Sequence, residues 1–129
     1  MTPPSKELLG AVFGKEIGKI ETKGVYLEYE HWENCINHQK QDISGYDITR
    51  INIHELGQKI KVWAFEQGYI VDEIGKYVLI IEKDTGVTKH RIDNDFYEVG
   101  DVDWSDLFDI SSVFKAAEWI LNQQDKGEV

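Results

Sequence analysis

The sequence predicts an α+β fold, one antiparallel sheet of about five strands with three helices mainly on one face. Three observations lead there. Apolar residues recur at helical spacing around Ile53–Ala64 and Val113–Leu121. The runs Ile17–Glu30 and Tyr69–Ile92 are rich in β-formers and broken at glycine-bearing turns. Helices and strands also come in blocks, without the strict alternation that a parallel sheet requires. A chain of 129 residues, 41% of them apolar and fifteen of them aromatic, is the size of one domain spanning 1–129 and can bury a core without disulfides or metal.

Thr2 is placed to cap a first helix with Pro3 at its first position, where the missing donor costs nothing; Leu8, Leu9, Val12 and Phe13 then share a face and Gly14 ends it. Ile17–Thr22 and Val25–Glu30 read as a hairpin around Lys23-Gly24, with Val25, Leu27 and Tyr29 on one face and Tyr26, Glu28 and Glu30 on the other. His31–Arg50 shows no clear period and reads as a long loop, a common seat of function.

The best-specified element follows. Asn52 can cap a helix, Glu55 can complete a capping box and Ile51 can staple against Leu56. Ile53, Leu56, Ile60, Trp63 and Ala64 form its apolar stripe, and Gly68 can adopt the left-handed conformation that stops it. Tyr69–Glu73 and Tyr77–Glu82 then read as a hairpin around Gly75, and Val87–Ile92 as a fifth strand after the turn Asp84-Thr85-Gly86. Asp109 or Ser111 is expected to cap the last helix, whose buried side carries Val113, Phe114, Ala117, Ile120 and Leu121. No internal repeat is visible in the sequence.

The helix pattern INIHELGQKIKVWAFEQG, together with SKELLGAVFG near the start and FKAAEWILN at Phe114–Asn122, resembles small uncharacterised proteins encoded by bacteriophages and prophages. The resemblance consists of helix stripes and caps and carries no catalytic residues. It implies a mobile element in a bacterial cytoplasm and no mechanism. The acidic stretch before the last helix is a departure from that pattern.

That stretch dominates the electrostatics. Asp93, Asp95, Glu98, Asp101, Asp103, Asp106 and Asp109 fall within seventeen residues that contain no lysine or arginine. Of 24 acids in the chain 17 lie elsewhere, against all 14 bases, so this segment supplies seven units of the net −10 and the rest only about three. Phosphate backbones and anionic membranes are poor partners for such a surface, and a basic protein suits it better. Phe96, Tyr97, Trp104 and Phe108 are interleaved with the carboxylates, and aromatic anchors rimmed by charge are what a protein interface needs. The expected partner-binding residues are therefore Asp93, Asp95, Glu98, Asp101, Asp103, Trp104 and Asp106. Spaced carboxylates can also imitate nucleic-acid phosphates, which would make the chain a decoy for a nucleic-acid-binding or host-defence protein. Solvated surface is the plainer reading of the same acids.

Chemical signatures are weak. His31, Cys35 and His38, with His54 as a fourth ligand, could bind zinc, but their spacing matches no standard module. Asp101, Asp103 and Ser105 alternate as in a calcium loop, yet Asp106 and Ser112 stand where glycine and glutamate belong. Cys35 beside His31 or His38 lacks a helix start to lower its thiol pKa. Gly10, Gly14 and Gly18 do not make a phosphate loop. The leading expectation is accordingly a cytoplasmic, non-enzymatic binding protein with no cofactor. A metal- or ligand-dependent enzyme or sensor built on the 31–50 loop is the second reading, and a homodimer or larger homo-oligomer through Trp32 or Trp104 the third. No run is long and apolar enough for a bilayer, the amino terminus lacks a signal-peptide core, and a single cysteine suits a reducing compartment.

Overall fold

The computed structural model describes residues 3–33, 47–74, 77–93 and 105–126. Helix α1 (Lys6–Phe13) leads into strands β1 (Lys15–Lys23), β2 (Tyr26–Glu33) and β3 (Asp47–Asn52). Helix α2 (Ile53–Glu66) leads into β4 (Tyr69–Ile74), β5 (Tyr77–Glu82) and β6 (Thr88–Asp93), and α3 (Ser105–Lys126) closes the chain. The order α-β-β-β thus occurs twice before the last helix. The α+β class is as expected, but the strands form two three-stranded antiparallel meanders, β1-β2-β3 and β4-β5-β6, rather than one sheet of five. The reason is β3, which begins inside the expected 31–50 loop. It occupies the free edge of β2, from Leu27 opposite Ile51 to Glu30 opposite Ile48, and so takes the position where later strands could have joined.

The elements begin and end for local reasons. Ser5, not Thr2, caps α1: its hydroxyl accepts from Leu8 N at 3.1 Å, while its own N–H and O–H donate to the Glu118 carboxylate at 2.8 Å each, tying the first helix to the last. Asn52 caps α2 as expected, its side chain accepting from His54 N at 2.8 Å, and the N–H of Ile53 donates to Val25 O at 2.9 Å. Gly68 follows α2 with φ +98°, a backbone that L side chains rarely adopt. Helix α3 starts at Ser105, several residues before the expected cap at Asp109 or Ser111.

Each sheet turns one face inward. Ile17, Leu27, Tyr29 and Ile51 are buried on the first, Val71, Val78 and Ile80 on the second. Helix α1 packs on β1, α2 on β4 and α3, and α3 on all three strands of the second sheet. One continuous core results, with Leu8, Leu9, Leu56, Ile60, Val113 and Ile120 fully buried between the layers. At the α2–α3 crossing the helices meet so closely that a Cβ on Gly57 would lie 2.8 Å from Ile110 Cδ1.

Candidate functional site

The acidic stretch meets the described fold at its two ends. Asp93 is exposed at the end of the edge strand β6, where the Nε of Arg91 donates to its Oδ1 at 3.1 Å. Asp95, Glu98, Asp101, Asp103 and Trp104 lie outside the described residues, and Asp106 falls in the first turn of α3. The structure therefore fixes where this segment leaves the sheet and where it resumes as helix.

The two ends of the expected 31–50 loop are strand. His31 belongs to β2 and Thr49 to β3, both on the inner face, and His31 Nε2 lies 2.6 Å from Thr49 Oγ1. The His31 ring is buried against Tyr29, centroids 5.3 Å apart, and its Nδ1 has no hydrogen-bond partner among the described residues. Burial raises the Tyr29 phenol pKa, an effect partly offset by a hydrogen bond with the same Thr49 hydroxyl. Thr49 thus serves two polar groups that would otherwise sit unsatisfied beside the core. Cys35 and His38 lie outside the described residues, and His54 stands exposed in the first turn of α2. Among the described residues no three His, Cys, Asp or Glu side chains converge as metal ligands would.

A groove of about 450 Å³ runs between the end of α1 and the outer side of α2, floored by Val12, Phe13, Val62 and Trp63 and rimmed by Glu55 and Glu66. Lys19 and Glu21 pair on the outside of the first sheet at 2.7 Å, their hydrogen bond raising the amine and lowering the carboxyl. Glu82 is lowered chiefly by the Thr85 hydroxyl, which donates to Oε1 at 2.8 Å, and further by Lys89.

The outer faces of the two sheets differ. On the first, Glu16, Trp32, Glu21, Glu28, Tyr26 and Arg50 alternate with the buried positions. Lys23 bridges Glu28 at 2.7 Å and Glu21 at 3.9 Å, Arg50 reaches Glu28 at 3.7 Å and lies over the Tyr26 ring, and the Trp32 indole N–H donates to Glu16. Trp32, expected to be exposed, is therefore half-buried and hydrogen-bonded in a charged lattice. On the second sheet the corresponding positions are Ile70, Ile74, Tyr77, Leu79 and Ile81, with Asp72, Arg91 and Asp93 among them. Sequence reading missed this face, although the unbroken run Tyr77–Ile81 is the pattern of a strand apolar on both sides.

No family model, no curated protein and no solved structure matches the chain. Among the described residues no helix is long and apolar enough to cross a membrane.

Proposed function

We propose that this is a non-enzymatic binding protein of phage or mobile-element origin, which engages a basic protein partner through the acidic-aromatic stretch between β6 and α3. The partner class is a nucleic-acid-handling or defence protein of the host, whose lysines and arginines ordinarily meet phosphates. The observation that carries the reading is charge segregation. Seven acids lie in seventeen residues without one base, while on the first sheet carboxylates and amines stand side by side and cancel. Apart from Asp93, which pairs with Arg91, the segment brings no base of its own to cancel its acids, and such a cluster projects a field that steers a partner.

The test is capture from a bacterial lysate with the wild type and with a variant carrying Asp101→Asn, Asp103→Asn and Asp106→Asn. The wild type is expected to retain a basic protein that is released as salt rises, and the variant to retain its fold and lose that protein. Equal capture by the two chains would remove the acidic stretch from the account.

A further inference from the structure

We infer that the outer face of the second sheet is the surface on which a second copy of this chain docks, giving a two-fold symmetric dimer. The face is apolar where a solvated antiparallel sheet is polar. Ile70 and Ile74 are 38% and 39% exposed, and Tyr77, Leu79 and Ile81 beside them are only partly covered. These five side chains form one continuous patch, because Ile70 pairs with Ile81, Asp72 with Leu79 and Ile74 with Tyr77 across β4 and β5.

The charges on the face select the occupant and the symmetry. Through β5 the registers place Asp72, Leu79 and Arg91 in one row, with the acid on one edge strand, the base on the other and leucine between. Two copies packed face to face can be related by an axis along the strands or across them. An axis across the strands lays β4 on β4 and sets Asp72 against its own image. An axis along the strands lays β4 on β6, so that Asp72 of each copy meets Arg91 of the other while Leu79 meets Leu79. Only the second arrangement is self-complementary, as an isologous interface must be. Arg91 is held on this face: its Nε lies 3.1 Å from Asp93 Oδ1 and its guanidinium lies over the Tyr77 ring at 5.2 Å. Aligned packing of this kind is the ordinary way two twisted sheets bury a face.

Size sets the strength. Three strands about 4.8 Å apart and six residues of about 3.3 Å rise give a footprint of about 290 Å² per copy, or about 570 Å² for both, below the lower limit of about 1,000 Å² for a stable specific interface. The dimer is therefore expected to be weak, dissociating in the high micromolar range and forming at high protein concentration. The patch also lies beside Asp93, where the acidic stretch begins, so dimerisation presents two such stretches to a partner. It does not depend on their binding anything.

The experiment is sedimentation of the purified full chain over a concentration series, for the wild type, Leu79→Arg, Asp72→Arg, Arg91→Asp and the exchange variant Asp72→Arg/Arg91→Asp, with circular dichroism to confirm the fold of each. The wild type is expected to approach twice the chain mass. Leu79→Arg is expected to weaken association about 100-fold, since two guanidinium groups meet at the centre. Each single charge reversal weakens it about tenfold and the exchange restores most of the loss. Both charge positions lie at the surface, so they test the face even if Leu79→Arg fails to fold. A wild type that stays monomeric at millimolar concentration, a dimer indifferent to these substitutions, or single reversals that the exchange does not rescue would overturn the proposal.

Discussion

The two α-β-β-β halves of this molecule have the same strand order and the same antiparallel pairing, yet they treat their outer faces in opposite ways. The first lays glutamates beside lysines and an arginine, so its charges cancel locally and water covers them. The second leaves isoleucine, leucine and tyrosine side by side. Inward the halves are alike, since both bury branched aliphatic residues against helices in one core. In these two β-meanders the inner faces are alike, while the outer face is charged in one case and largely apolar in the other.

The sharpest way to test the likeness is to cut equally into both inner faces. Leu27 and Ile80, each 0% exposed, occupy the central strands of the two sheets. Their replacement by alanine is expected to cost about 3 kcal/mol apiece in urea denaturation, with a single transition in each case because the core is shared. Loss of one sheet's signal before the other would mean that the halves fold separately. Next in size is the junction between the halves, where Asn52 both ends β3 and caps α2. Asn52→Ala should remove about 1 kcal/mol.

The unlike faces give smaller effects. Removing Lys23, which bridges Glu21 and Glu28 in the open, is expected to cost less than about 1 kcal/mol, and less still in high salt. Each half also holds one carboxyl below its ordinary range, Glu21 through the Lys19 amine and Glu82 chiefly through the Thr85 hydroxyl. A depressed carboxyl stabilises the fold above the unfolded range and loses that contribution as pH falls through the folded value. NMR titration should therefore show Glu21 moving back toward its ordinary value as salt is raised, and Glu82 doing so on Thr85→Ala; the reverse pattern would mean that the two causes have been exchanged.

Much of the fold was legible where sequence signals agree. Asn52 and Gly68 bound α2 because a cap and a left-handed stop flank an unambiguous stripe, and the β4–β5 hairpin and β6 follow their turns. Strand β3 was not legible because its alternation is inverted: Ile48, 60% exposed, points outward, while polar Thr49 points inward to satisfy His31. Without β3 the twofold α-β-β-β order is hidden, and a single five-stranded sheet is the natural reading. The start of α3 was obscured because aspartates suggest loop, although a helix start also accommodates them. Of the expected binding residues, Asp93 and Asp106 are placed on β6 and α3, while Asp95, Glu98, Asp101, Asp103 and Trp104 lie outside the described residues. His31 looked like a loop ligand because nothing in its neighbourhood announces the strand that pairs with it.

The contrast between the faces can be tested with one pair of variants. Arginine placed at Ile48, on the outer face of the first sheet, and arginine placed at Leu79, on that of the second, make comparable changes in charge. Light scattering at high protein concentration should give the dimer mass for Ile48→Arg, as for the wild type, and the single-chain mass for Leu79→Arg. A dimer broken at Ile48 and intact at Leu79, or the same mass for both variants, would contradict the account.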